Sequence, residues 1–313
     1  MHIPVLLEEV LKYLNPRPGG KFIDATIGGG GHGLAILGKI QPGGKLLGIE
    51  WDSELLKQLE RKAQSEKGKA GLILINGSYV NLQKIAGENG FSEADGALFD
   101  LGMSSWHIEE SGRGFSFQRD EPLDMRFANA TTNCQPPTTN HQLATAKTRL
   151  TAEEMVNRYS YAELVKILKE YGEERFARPI AGAIVKARKE KPIVSAFQLV
   201  EVLKEAVPFW YRRGRRIHFA TKTFQALRIA VNHELENIEA GLKQAVQVLR
   251  GGGRLAVISF HSLEDRIVKN FLRDRDRRGV LRILTKKPIR AVLAETSQNP
   301  RARSAKLRAA EKR

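Results

Sequence analysis

Along the first hundred residues, short apolar runs alternate with segments of helical periodicity. Lys21–Thr26, Lys45–Glu50, Gly71–Asn76 and Ala94–Asp100 are nearly continuous apolar stretches of strand length. Runs of this kind fit strands buried on both faces, as in a parallel sheet. Between them, His32–Lys39, Ser53–Gln64 and Leu82–Ala86 read as helices, with Leu55, Leu56 and Leu59 on one face of the second. Strand–helix alternation predicts an α/β fold with a doubly wound, Rossmann-like parallel sheet.

The alternation stops near His107. From there to Arg216 the pattern gives helices at Thr151–Arg158, Tyr161–Tyr171, Arg175–Lys189 and Ala196–Val207, with no strong strand. Asn129–Arg149 is polar, contains Pro136 and Pro137, and reads as a loop. The alternation then resumes. A long helix over Thr223–Leu249 leads to a turn at Gly251–Gly253 and a strand at Arg254–Phe260, then a helix at Leu263–Asp274 and a strand near Val280–Leu284. The economical organisation is one discontinuous α/β domain, 1–106 with 217–313, interrupted by a helical insertion at 107–216.

Charge adds a partner class. The chain of 313 residues carries 51 Lys and Arg against 35 Asp and Glu, a net charge of +16. Residues 1–106 have a net charge of −1, residues 107–216 of +5 and residues 217–313 of +12. A basic final third suggests a polyanion, because phosphate neutralisation with counterion release gives affinity without base contacts. The single cysteine, Cys134, cannot form an internal disulfide, and no Cys/His cluster has zinc spacing. Apolar runs are too short to span a bilayer, and Glu8 and Glu9 stand where a signal peptide would be basic and then apolar. The expectation is a soluble protein of a reducing compartment, with no membrane partner.

Three strand ends carry candidate chemistry. Asp24-Ala-Thr-Ile-Gly28-Gly29-Gly30-Gly31-His32-Gly33 satisfies G-x-G-x-x-G through Gly28, Gly30 and Gly33, and Glu50 ends the next strand. Glycines let the backbone approach a ligand at a helix N-terminus, and an acid at the second strand end suits ribose hydroxyls. The pattern fits NAD and S-adenosylmethionine equally, and the plainer reading is an ordinary turn. Asp100-Leu-Gly-Met-Ser104-Ser105 follows the fourth strand, where an acceptor for an amino-group proton could sit; the plainer reading is a capping Asp and a Ser-rich turn. At Phe260-His261-Ser262-Leu263-Glu264-Asp265, Ser262 and Asp265 read as a capping-box-like helix start. Phe260 could stack on a base and His261 hydrogen-bond to one, although both also suit packed, structural roles.

Nine segments together are more specific than any one motif. His2-Ile-Pro4-Val-Leu-Leu, Gly30-Gly31-His32, Asp100-Leu-Gly-Met-Ser-Ser, Arg113-Gly-Phe-Ser-Phe, Pro122-Leu-Asp-Met-Arg126 and Tyr171-Gly-Glu-Glu174 occur in that order. Thr223-Phe-Gln-Ala-Leu-Arg-Ile229, Ser259-Phe-His-Ser-Leu-Glu-Asp-Arg266 and Asn299-Pro-Arg-Ala-Arg-Ser-Ala-Lys-Leu-Arg308 complete the set. In these segments the chain resembles the RsmH (MraW) family of ribosomal RNA small subunit methyltransferases. The resemblance implies a class I methyltransferase fold with a helical inserted domain and a cytoplasmic location. It implies methyl transfer from S-adenosyl-L-methionine to N4 of cytidine 1402 in 16S rRNA of the small ribosomal subunit. It places Gly30, Gly31, His32, Glu50, Tyr79, Asp100 and His107 at cofactor-binding positions. Glu50 stands where Asp is common and His107 where Gln is common, Phe127-Ala128 replaces the usual Met-Asp, and the Asn129–Arg149 loop is longer than the family norm.

For such a reaction, Asp100 or the Ser104–Ser105 turn would accept the proton of the amino group, with Phe260 and His261 holding the ring. The insertion and the basic tail would grip the RNA backbone. Two other classes compete: a NAD-dependent oxidoreductase, which leaves the basic final third unexplained, and a non-catalytic RNA-binding assembly factor, which leaves the glycine loop and Asp100 without a purpose.

Overall fold

The computed structural model describes residues 4–65, 70–127, 150–213 and 217–313. They form two compact units: the described residues of 1–102 and 235–313 make an α/β unit, and those of 103–234 a helical unit. The Asn129–Arg149 loop lies outside the described residues.

The α/β unit is built on β1 (Lys21–Asp24), β2 (Lys45–Glu50), β3 (Leu72–Asn76), β4 (Ala94–Asp100), β5 (Leu249–Ser259), β6 (Leu281–Ile283) and β7 (Lys306–Lys312). They form one sheet in the order β3-β2-β1-β4-β5-β7-β6. β1 to β5 pair in parallel, whereas β7 lies antiparallel to both β5 and β6. The apolar runs are continuous because both faces are covered. Ile23, Leu47, Ile49, Leu255 and Val257 point into one core, while Phe22, Leu46, Ala256 and Ile258 point into the other.

The helical unit packs Ala152–Arg158, Tyr161–Glu170, Ala177–Glu190, Ala196–Ala206 and Thr221–Asn232 around a core that includes Val156, Leu164, Ile180, Leu199 and Leu227. Two of these helices begin in full capping boxes, Thr151 with Glu154 and Ser160 with Glu163. Each satisfies N-terminal amides that no helical carbonyl can reach.

Four expectations change. The helix expected over Thr223–Leu249 is two helices, Thr221–Asn232 and Glu234–Val248, broken at His233, whose φ is 51°. Phe224, Leu227 and Val231 serve the helical core, while Ile238, Leu242 and Val246 serve the sheet. The helix Thr221–Asn232, expected in the α/β half, therefore packs in the helical unit. No glycine or proline marks the break, so apolar periodicity alone reads through it.

The turn expected at Gly251–Gly253 lies within β5. The pairing with β4 shifts there from Ala94 opposite Leu249 to Gly96 opposite Arg254, so the glycines occupy a bulge. The helix after β5 is Ser262–Arg277, capped by His261 with Glu264 as its partner, one residue earlier than the Ser262–Asp265 box.

The end of the basic tail is a strand. Residues Lys306–Lys312 form β7, with Leu307, Ala309 and Ala310 fully buried. Arg308 and Lys306 pair with Asp265, at 2.7 and 3.3 Å, and Arg254 and Arg282 pair with Glu311. Burial works against ionisation of Asp265, but the hydrogen bonds and charges of Arg308 and Lys306 bring its pKa below the ordinary value. Residues 306–312 are thus an interior strand with Lys306 and Arg308 paired, while Arg273, Arg275, Arg277, Arg278, Lys286 and Lys287 of the basic tail lie outside it.

Candidate active site

Parallel pairing puts the carboxyl ends of β1 to β5 on one edge of the sheet, where open α/β sheets bind ligands. The segments that follow these ends supply most of the residues expected from the sequence. After β1, Gly30 has φ of +82° and caps the helix Gly31–Ile40. A Cβ at Gly30 would lie 2.5 Å from Leu59 Cδ1, and one at Gly31 would lie 2.6 Å from Pro4 Cγ, so both positions require glycine.

At the end of β2, Glu50 is buried and held by two amides. The Gly28 N–H donates to its Oε2 at 3.0 Å and the Asp52 N–H to its Oε1 at 2.8 Å. The carboxylate thus ties the glycine loop to the second strand. At the end of β4, the Asp100 N–H donates to Thr26 Oγ1 at 2.6 Å, and the Asp100 Oδ1 accepts from the Gly102 N–H at 3.3 Å. His32, in the first turn of its helix, has Nε2 2.8 Å from the Val5 carbonyl oxygen and Nδ1 3.4 Å from Asp100 Oδ2. A donating Nε2 satisfies that carbonyl; Nδ1 bonds to the Asp100 carboxylate only when it carries a proton as well.

Asp24, at the end of β1, was not among the residues singled out, though it opens the glycine motif. It is 1% exposed, and its Oδ1 accepts from the Thr26 N–H at 3.2 Å. Burial raises its pKa to about 7; the His32 charge and the Thr26 amide oppose this, and Asp100 and Glu50 add to it. The strand-end position was the available signal, and burial is what the sequence concealed.

The other candidates divide. Tyr79 begins the turn Tyr79–Asn81 beyond β3 and packs edge-on against Phe99, with ring centroids 5.5 Å apart. Phe260 lies over Gly102, where a Cβ would come 2.7 Å from its Cε2. His261 is the helix cap: its Nδ1 accepts from the Glu264 N–H at 3.4 Å. The Glu264 Oε2 in turn accepts from the Phe260 and His261 N–H groups at 2.6 and 3.2 Å.

Ser104, Ser105 and His107 belong to the helical unit. Ser104 caps the helix Ser105–Glu109, and its Oγ lies 2.9 Å from His107 Nδ1. The His107 ring is buried among Trp106, Phe115 and Phe127, with centroids 5.0 to 5.5 Å away.

Within the α/β unit, Glu50 and Asp100 both stand close enough to Asp24 to act on its carboxyl group. No lysine or arginine occurs in 22–38, 46–56 or 96–112, the stretches that carry them. Coulomb interaction there favours a cationic ligand over a pyrophosphate.

A parallel sheet with one antiparallel strand between β5 and β6, a glycine loop after β1 and an acid after β2 make this a methyltransferase of the class I, Rossmann-like fold. The antiparallel β7 separates it from the dinucleotide-binding order 3-2-1-4-5-6. The chain belongs to the MraW methylase family, whose profile matches residues 1–313. It is 46% identical over 311 residues to the ribosomal RNA small subunit methyltransferase H of Persephonella marina, covering 99% of each chain. It is 45% identical to the protein of that name from Geobacter sulfurreducens, covering 99% of this chain and 98% of the relative. It is 44% identical to the one from Acidobacterium capsulatum, covering 100% and 98%. Among the described residues, no helix is long and apolar enough to cross a membrane.

Proposed function

We propose that this chain transfers a methyl group from S-adenosyl-L-methionine to the N4 amine of cytidine 1402 in 16S rRNA, in the cytoplasm. The observation that carries the reading is the set of Asp24, Glu50 and Asp100 on strand ends whose flanking segments lack basic residues. That set of acceptors suits a cationic nucleoside, and the glycine loop opens the helix Gly31–Ile40, whose first amides face the same strand ends. The relatives' names supply the small-subunit rRNA as substrate class.

When bound, the cofactor supplies an activated methyl on a sulfonium. Glu50, fixed by the Gly28 and Asp52 amides, accepts from the ribose hydroxyls. Cytosine N4 is a poor nucleophile because its lone pair is delocalised into the ring. The chain's task is to align the amine with the methyl and to take up the proton that methylation releases. Asp100 is the acceptor: it ends β4, its side chain is 22% exposed, the Gly102 amide holds its Oδ1, and its Oδ2 lies 3.4 Å from His32 Nδ1. Ser104 is the weaker choice, since its hydroxyl already serves the helix cap and His107. Phe260 forms a wall for the ring, and His261 positions it by holding the helix start. The target base must leave its stack to reach this edge.

The test is methyl transfer from labelled S-adenosyl-L-methionine to small subunits lacking native methylation, with the product nucleoside identified. N4-methylcytidine at one decoding-centre position is expected. Tight cofactor binding with no transfer to these subunits would overturn the substrate assignment.

A further inference from the structure

The helical unit carries an aromatic surface that its own core does not need. Phe209 and Trp210 are 60% and 56% exposed, although large apolar rings are ordinarily withdrawn from water. They sit on the one-turn helix Phe209–Arg212, whose remaining aromatic is its anchor. Tyr211 is 3% exposed, and its hydroxyl donates to the Glu174 carboxylate, at 2.8 Å from Oε1 and 3.0 Å from Oε2. The Phe176 ring packs on Tyr211 at 4.6 Å and on Trp210 at 5.7 Å. The turn is thereby held rigid with Phe209 and Trp210 facing outward.

Arginines cover these rings. Arg213 and Arg212 lie 4.9 and 5.6 Å over Phe209, and Arg175 lies 5.5 Å over Trp210. A guanidinium stacked on a ring keeps its in-plane N–H groups available for phosphate. The Nε of Arg212 is buried without a hydrogen-bond acceptor among the described residues. Rigid exposed rings interleaved with arginine form the surface that binds single-stranded nucleic acid, by base stacking and phosphate contact.

We infer that Phe209, Trp210, Arg175, Arg212 and Arg213 form an RNA-binding platform that holds an unpaired stretch of the substrate, separate from the residues of methyl transfer. The inference rests on the rRNA-methylating function proposed above. A second copy of the chain is a poorer occupant, because a symmetric contact would set these arginines against one another.

Of the three tryptophans, Trp51 and Trp106 are buried, so a base stacking on the surface reports through Trp210. Titrating the full chain with a short oligocytidylate RNA is expected to quench tryptophan fluorescence. Trp210→Phe should lose the quenching and keep most of the affinity. Phe209→Ala/Trp210→Ala should weaken binding by about ten-fold or more. Arg213→Ala should lower the salt dependence of binding by about one phosphate contact. With small subunits, the double variant should raise KM while cofactor affinity and kcat at saturation stay unchanged.

Unquenched wild-type fluorescence, or variants that bind within two-fold of wild type, would overturn the platform. So would loss of self-association in sedimentation with RNA affinity unchanged, which would make the patch a contact between copies. These readouts are independent of the methylation test. A wild-type chain that methylates subunits while the double variant behaves identically defeats the platform alone. A chain that methylates no subunit defeats the function.

Discussion

At its strand ends the α/β unit gathers Asp24, Glu50 and Asp100 beside segments without a single basic residue. The helical unit instead presents Phe209 and Trp210 under the guanidinium groups of Arg175, Arg212 and Arg213. Under the proposed function the first set would face the sulfonium of the methyl donor and the second the phosphates of the substrate, so the two units carry opposite charge for different ligands. The excess of positive charge is largest in the final third, yet Lys306 and Arg308 of β7 pair with Asp265, and Arg254 and Arg282 of the neighbouring strands pair with Glu311. The smaller excess of 107–216 includes arginines that stack on exposed rings.

The comparison breaks most sharply at Asp100. Asp100→Ala should keep the fold and lose about 10²–10³-fold in turnover, the scale of a lost transition-state hydrogen-bonding group. Single-turnover methyl transfer with circular dichroism as a folding control measures it, and near-normal turnover would remove Asp100 from the mechanism.

Asp24 offers a test by pH. Its folded-state pKa of about 7 lies above the unfolded value, so the native state holds the extra proton between the two. Its contribution to stability is full below about pH 4 and is lost as pH rises to about 7, on the order of 4 kcal/mol. Denaturant midpoints should fall over that window in the wild type and flatten in Asp24→Asn. A cationic cofactor favours the ionised carboxylate, so its affinity should rise as pH passes through about 7. Equal pH profiles for the two proteins would show that Asp24 does not titrate there.

The pairing of β7 with Asp265 is tested by Asp265→Ala, which strands Arg308 at 7% exposure. We expect a loss of about 3 kcal/mol, because one partner of a buried pair is left uncompensated. Faster amide exchange over 306–312 should accompany it. If stability is unchanged, the tail is not held as an interior strand.

The smallest effect belongs to the helical unit, where Thr151→Ala removes half of a capping box. About 1 kcal/mol should be lost, with cofactor affinity unchanged, as calorimetry and a binding titration would show.

Much of the α/β unit was legible in the chain. The β2 and β4 runs match their strands end for end, because burial on both faces makes a parallel strand a continuous apolar string. The glycine loop and Glu50 were legible for a related reason, since backbone approach and a strand-end acid are local demands. The candidate site residues were legible by identity, but not their surroundings: Asp100 stands beside His32, His261 caps a helix, and His107 sits in the aromatic cluster of the helical unit.

The sequence by itself determined the strand and helix periods, the glycine-dependent turn, the identities of the strand-end acids and the family, since each is written in residues close along the chain. Tertiary structure alone decided that Thr221–Asn232 joins the helical unit and that residues 306–312 enter the sheet between β5 and β6. It also decided that Asp24 is buried enough to hold its proton near neutrality. Each of these outcomes depends on partners far away in sequence. Strand pairing, charge neutralisation and desolvation are set by what surrounds a residue in space, and a one-dimensional pattern does not carry that.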